Sequence, residues 1–249
     1  MQRAVAIIPA RIQSSRLPRK ALVDICGLHM IVHVYKRCLM AKTLSDVRVA
    51  TDNREIFDTI IAFGGKAVMT KESHETGTDR IAEAAQVLDY EIIVNVQGDE
   101  ALVNPRYIDK VVSLMMKDPS LNVAVLVNPF HKYNSPSDIK TVLDENDFIL
   151  YSSRSDIPSG LRTPNPPMLK VYHIVPFRKE FLMQYASWPK GHLERIEYNE
   201  YLRILEKGFK IKAVRVESSA VSVDTMEDLE YVRSKMPEDE FYKLYRHRY

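Results

Sequence analysis

The sequence is short of cysteine. It has two in 249 residues, Cys26 and Cys38, twelve positions apart, with no C-x-x-C pair and no Cys/His set at zinc-ligand spacing. That excludes a disulfide framework and a structural zinc site, and both thiols are expected to lie reduced in or near the core. The sequence also lacks an apolar run of the ~20 residues that a membrane helix needs. The run nearest the start, Ala4 to Ala10, is broken by Pro9 and has neither the h-region nor the cleavage site of a signal peptide. The expectation is a cytoplasmic protein without a membrane partner. An excess of one charge is missing too: 35 Lys and Arg face 33 Asp and Glu, for a net charge of +2. This argues against a nucleic-acid coat and against an acidic tail. No internal repeat, low-complexity block or linker stands out. What remains is a soluble composition, 45% hydrophobic and 27% charged, on a chain long enough to bury most of its unfolded surface without cross-links.

Short β-branched runs alternate with helical patterns over the first half. Val5–Ile8, Val47–Ala50, Lys66–Met69, Ile92–Val96 and Val123–Val127 read as strands. Helices are predicted over His29–Met40, Glu55–Phe63 (stopped by Gly64 and Gly65), Thr78–Leu88 and Pro105–Lys117. That order predicts an α/β fold with a Rossmann-like, mostly parallel central sheet and helices on both faces. The middle departs from it. Thr141–Leu143 and Phe148–Ser152 flank Asp144–Asp147 as a hairpin, and Asp156–Pro167, with four prolines, reads as loop. Helices at Phe177–Ala186 and Leu193–Glu206, a strand at Ile211–Val216 and a helix at Thr225–Lys235, capped by Asp224 or Thr225, follow. The expected organisation is one domain over 1–249 with an insertion at about 128–176.

The strongest local feature is I-I-P-A-R-I-Q-S-S-R-L-P-R-K, Ile7 to Lys20, directly after the first strand. Ala10, Ser14 and Ser15 let backbone N–H groups approach a ligand, and Arg11, Arg16, Arg19 and Lys20 can neutralise a polyphosphate. Neither a Walker A loop nor a G-x-G-x-x-G fingerprint is present. Val94–Glu100 puts Gly98 and Asp99 at the carboxyl end of a strand, where open α/β sheets bind ligands. Val221–Leu229 puts Asp224 at a strand–helix junction. Taken alone, Asp99 is equally a turn residue and Asp224 an N-cap; taken together, they supply the oxygen ligands of a hard cation such as Mg²⁺. Glu75–Arg80, E-T-G-T-D-R, places Gly77 before a helix start suited to anions or polar base edges.

In these motifs the chain resembles the CMP-sugar synthetases, most of all the 3-deoxy-D-manno-octulosonate (Kdo) cytidylyltransferases. Ile7–Leu22 follows the family's I-I-P-A-R-x-x-S-x-R-L-P-G-K-x-L. Val49–Asp52, Phe63–Thr70, Gly77–Arg80, Val94–Glu100, Tyr151–Pro158, Leu193–Glu197 and Val223–Leu229 match in order and spacing over almost the whole chain. The resemblance implies the nucleotide-diphospho-sugar transferase fold and transfer of CMP from CTP to a sugar acid with release of pyrophosphate. Pro9, Ala10, Arg11, Ser14, Arg16, Lys20, Gly77, Thr78 and Gln97 are expected on CTP. Asp99 and Asp224 are expected on Mg²⁺, and Gln97, Arg154, Glu200 and Tyr201 on the acceptor acid. Lys20, Arg11, Asp99 and Asp224 are expected to carry the chemistry. A homodimer, with the hairpin packed across a two-fold, is implied as well.

Departures from the family cluster in two places. Arg19 replaces the glycine of L-P-G-K, and either adds a further cation to the site or points to solvent; Ala101 replaces the proline after G-D-E. On the acceptor side, the family's R-H-x-G-I-Y-x-Y is here Lys170 to Phe177, with Val171 for the His and Val175 for the first Tyr, and Tyr201 stands for the Gln of L-E-Q-L-R. A polar pocket that loses hydrogen-bonding groups rejects the ligand that needed them, so ordinary Kdo is expected to be a poor acceptor. A shift of the strand register by one or two residues would let Tyr172 and His173 compensate in part. Other nonulosonates or a phosphonate as acceptor, and a nucleotide-binding protein without turnover, are the alternatives.

Overall fold

The computed structural model describes residues 3–14 and 16–246. Strand β1 (Ala4–Ala10) leads through the basic loop and a 3-10 turn, Lys20–Leu22, into the ribbon β2 (Asp24–Ile25) and β3 (Leu28–His29) and helix α1 (Met30–Cys38). Then come β4 (Asp46–Thr51), α2 (Arg54–Ala62), β5 (Ala67–Met69), α3 (Gly77–Gln86), β6 (Ile92–Val96), α4 (Pro105–Lys117) and β7 (Ala124–Phe130). The second half holds β8 (Lys140–Leu143), β9 (Ile149–Ser153), β10 (Met168–Tyr172), β11 (Ile174–Arg178), α5 (Lys179–Ser187), α6 (His192–Glu197), α7 (Tyr201–Glu206), β12 (Lys212–Arg215), α8 (Met226–Lys235) and α9 (Tyr242–Tyr245).

The main sheet runs β11-β6-β1-β4-β5. The three pairings from β6 to β5 are parallel, and β11 joins β6 antiparallel. Residues of β1 alternate between its two sides. Ala4, Ala6 and Ile8 pack with α1 and α4, while Val5 and Ile7 pack with α3 and α5. A strand covered by helices on both faces carries apolar residues throughout, which is why Val5–Ile8 is an unbroken apolar run. Because β4 and β6 flank β1 on opposite sides, the chain leaves β1 one way for β4 and β5 and crosses to the other side for β6. A crevice opens at the carboxyl ends of β1 and β6.

A second sheet, β12-β7-β10-β8-β9, is mostly antiparallel, with β12 and β7 its parallel pair. A bridge between Val123 and Phe177 joins it to the main sheet. The sequence expectation needs correction at two points. Phe177 belongs to β11 and not to the following helix, because its ladder to Ile93 continues through Arg178. The predicted helix over Leu193–Glu206 is two helices, broken at Tyr198, whose φ of 49° is left-handed. A buried ion pair, Arg203 Nε and Nη2 to Glu194 at 2.7 and 2.6 Å, fastens the two pieces across the break.

Candidate active site

The crevice is a cleft of about 260 Å³. Pro9, Ala10, Arg11, Ser14, Arg16 and Lys20 wall it from the loop after β1, Gln97, Gly98 and Asp99 from the end of β6, Gly77 from the start of α3, and Asp224 from the segment before α8. Gly98 allows the two strand ends to meet: a Cβ there would lie 2.8 Å from the Pro9 carbonyl oxygen. Ser15 lies outside the described residues.

Two backbone features bring the carboxylates together. Val223 N–H donates to the Asp99 carbonyl at 2.9 Å, which holds the Asp224 segment beside the end of β6. Thr225, not Asp224, caps α8, through a capping box with Asp228, so the Asp224 side chain is free to face the cleft. Lys20 Nζ sits between the two acids, 2.7 Å from Asp99 Oδ2 and 2.9 Å from Asp224 Oδ1. Arg16 reaches Asp224 at 2.9 Å. Burial opposes the charge on Lys20, but Asp99 and Asp224 outweigh it, and its pKa is raised. Arg11 makes no ion pair among the described residues and stands open on the cleft wall.

The donor set suits a hard cation. Two carboxylates already converge on one cationic nitrogen, and no group of three or more His, Cys, Asp and Glu stands together among the described residues. Mg²⁺ takes one or two carboxylates and completes its shell with water and substrate phosphates.

Arg19 does not enter the cleft. Its backbone is left-handed, with φ 55°, and its side chain pairs with Glu55. The family's glycine suits that backbone. Relief of left-handed strain (~1–2 kcal/mol) is offset by glycine's chain entropy (~0.5–1 kcal/mol) and by the loss of an exposed ion pair (~0–1 kcal/mol). Arg19→Gly is therefore expected to leave stability within about 1 kcal/mol of wild type and the KM for CTP unchanged. A tenfold rise in that KM, read by pyrophosphate release, would put Arg19 on the triphosphate.

Four expected ligand residues are placed otherwise. Thr78 is buried and donates its hydroxyl to Glu200 Oε1 at 2.8 Å, with Asn95 Nδ2 3.3 Å behind it, so its side chain turns away from the cleft. Glu200 does not line the cleft. Burial pushes its carboxyl pKa up to about 7 against the bond from Thr78, and its Oε2 is buried without a partner. Tyr201 is buried on the apolar side of the main sheet. The Arg154 guanidinium donates to the carbonyls of Pro136, Ser137, Glu197 and Tyr198 at 2.9–3.0 Å, while Glu197 accepts from Tyr151, Ser153 and the Arg154 N–H. The Tyr151–Pro158 and Leu193–Glu197 motifs thus bind each other. Four of the five N–H donors of Arg154 serve the chain itself.

Sequence reasoning missed His74 on the far wall and, having singled out the run Glu75–Arg80, gave no ligand role to Glu75, Thr76 or Arg80 within it. Arg80 had a signal, since it closes G-T-D-R. It is buried and bonds Asp52 at 2.5 Å and Thr70 at 2.6 Å, the ends of two other motif stretches. His74 pairs with Glu83, and nothing in its own sequence neighbourhood marked it.

Comparison with known proteins agrees with this arrangement. The family profile described as Cytidylyltransferase matches residues 5–212. The 3-deoxy-manno-octulosonate cytidylyltransferase of Trichlorobacter lovleyi is 41% identical over 246 residues, covering 93% of this chain and 98% of its own. An Escherichia coli protein of the same name is 39% identical over 241 residues, covering 96% and 98%. A solved CMP:2-keto-3-deoxy-manno-octonic acid synthetase complexed with CTP superposes with a TM-score of 0.92 at 38% identity, over 95% of this chain and 99% of that one. The 4-diphosphocytidyl-2C-methyl-D-erythritol synthase of Anaerococcus prevotii, at 13% identity and a TM-score of 0.66, shares the fold. With its Ile7–Lys20, Gly77–Arg80, Val94–Glu100 and Val223–Leu229 motifs meeting at one crevice of a nucleotidyltransferase fold, this chain belongs to the cytidylyltransferase family.

Proposed function

We propose that the protein transfers CMP from CTP to a sugar acid, Kdo or a close relative, and releases pyrophosphate. The observation that carries this reading is the convergence of Lys20, Asp99 and Asp224 at the carboxyl end of β6, in a cleft whose loop supplies the further cations Arg11 and Arg16. Phosphoryl transfer requires in-line positioning and charge stabilisation more than covalent chemistry from the protein. Arg11, Arg16 and Lys20 bind the triphosphate and offset its charge. Pro9, Ala10, Ser14, Gly77 and Gln97 shape the nucleotide wall. Asp99 and Asp224 would hold Mg²⁺, which supplies Lewis acidity at the phosphate and lowers the pKa of an attacking hydroxyl. Lys20 keeps the two carboxylates together until substrate arrives, then turns to the phosphates. Gln97, whose side chain makes no protein hydrogen bond among the described residues, faces the acceptor side.

The test is pyrophosphate release with CTP, Mg²⁺ and a panel of acids including Kdo, with ATP, GTP and UTP as controls. Release that is specific for CTP and dependent on an acid is the expected result. CTP binding without release on any acid would leave only a nucleotide-binding protein.

A cytoplasmic homodimer fits the same reading. No helix among the described residues is long and apolar enough to cross a membrane. Leu150 on β9 and Ile196 and Tyr198 at the end of α6 are 61–81% exposed, and their segments are held side by side by the bonds from Tyr151 to Glu197 and from Arg154 to the Tyr198 carbonyl. Light scattering at micromolar concentration is expected to give twice the chain mass. Leu150→Glu together with Ile196→Glu should halve it.

A further inference from the structure

The acceptor side has been rebuilt around a residue pair that the family pattern does not contain. His173 is the single residue between β10 and β11. Ile174 faces Val96 in the antiparallel ladder, so one further step along that ladder sets His173 opposite Gln97, which lines the cleft. Its imidazole lies nearly parallel to the ring of Tyr201, with centroids 5.7 Å apart and planes 15° from parallel, and Nδ1 is 2.7 Å from Tyr201 Oη. Val171 and Val175, at the positions of the family's His and Tyr, are fully buried and pack in the same apolar cluster as Tyr201. Hydrogen-bonding positions have thus passed into the core, and one imidazole stands in their place.

The protonation state of that imidazole follows from its surroundings. Burial holds the His173 pKa down to about 4 against the pull of Asp99, so the ring is neutral at pH 7. Burial likewise raises the Tyr201 pKa well above its ordinary value, so Tyr201 is a phenol. A neutral imidazole has one donor and one acceptor nitrogen. No other acceptor for the Tyr201 hydroxyl stands within reach among the described residues, so the hydroxyl donates to Nδ1. The ring hydrogen is then on Nε2, which makes no protein hydrogen bond among those residues.

We propose that His173 is the specificity-determining donor of the acceptor site, with Tyr201 as the positioning residue that fixes its tautomer. The proposal rests on the cytidyl-transfer reading and names its acceptor class: an acid that offers one oxygen to Nε2–H and is less hydroxylated than Kdo, because the family's His and Tyr hydrogen-bonding groups are replaced by the buried Val171 and Val175. Loss of a single hydrogen bond to a substrate oxygen in a site built for it typically costs about ten- to a hundredfold.

The experiment measures KM for acceptor and for CTP by pyrophosphate release, using Kdo and Kdo analogues that each lack one hydroxyl. His173→Phe keeps the stacked ring and loses the nitrogen. It is expected to raise acceptor KM about ten- to a hundredfold with CTP KM unchanged, and to lower the melting temperature somewhat, because the buried Tyr201 hydroxyl loses its partner. His173→Gln, whose amide N–H reaches toward the Nε2 position, should recover part of that loss. Tyr201→Phe should raise acceptor KM by a smaller factor. At least one deoxy analogue should be used better than Kdo. Unchanged acceptor KM in His173→Phe, or acceptor and CTP KM values rising together, overturns the proposal and leaves cytidyl transfer standing. CTP binding with no release on any of these acids overturns both.

Discussion

Asp99→Asn and Asp224→Asn are each expected to lower kcat by about a thousandfold or more, roughly 4 kcal/mol of transition-state stabilisation, which is the scale of removing one anionic ligand from a catalytic cation. The fold should survive both changes. Neither carboxylate is in the core. The bond that joins the two segments uses the Asp99 carbonyl and the Val223 N–H, and neither side chain takes part in it. In each variant Lys20 retains the other carboxylate as its partner. Melting temperatures close to wild type with turnover near background is the expected combination, and excess Mg²⁺ should not restore the rate, because amide oxygen replaces the charge that draws the ion. Near-normal turnover in either variant would mean that the cation is held elsewhere.

The parts of this site that were legible in the sequence share one physical property: their position follows from local order along the chain. A strand that ends in Pro9 must deliver Arg11 to Lys20 at its carboxyl end, and Ile92–Val96 must deliver Gln97 to Asp99. Once both strands lie parallel, the two loops meet without further information. Residues that depend on pairings far along the chain were misplaced. Arg154 carries the charge suited to a carboxylate, but the carbonyls of Pro136, Ser137, Glu197 and Tyr198 reach it first. Thr78 begins a helix beside the cleft, yet Glu200 lies below it and turns its hydroxyl inward. The helical period over Leu193–Glu206 gives no warning of a break at Tyr198, because the Glu194–Arg203 pair that supports the break is a tertiary contact. His173 is the instructive case. No strand is expected from the sequence between Ser152 and Phe177, and only the separate partners of β10 and β11 show two ladders with His173 between them.

Lys20→Ala is expected to weaken CTP use by about 2 kcal/mol or more, near thirtyfold in kcat/KM, the scale of a charge-assisted contact in a largely desolvated site. This loss differs in kind from that of the aspartate variants. Lys20 opposes Asp99 and Asp224 for as long as no other cation lies between them, so its removal leaves two facing carboxylates with only Arg16 near Asp224. Mg²⁺ dependence should therefore persist in Lys20→Ala while the KM for CTP rises. Without Mg²⁺, the variant should melt below wild type at pH 8. The sign of the pH effect follows from the raised pKa of Lys20: the folded protein holds this proton more tightly than the unfolded chain does. The stabilisation is fully present below the ordinary lysine value of 10.5 and is lost as pH rises through the higher folded value. The gap in melting temperature between wild type and Lys20→Ala should accordingly hold constant from pH 7 to 9 and close only above 10.5. A CTP titration indistinguishable from wild type would remove Lys20 from the triphosphate and leave it a structural tie between two acids.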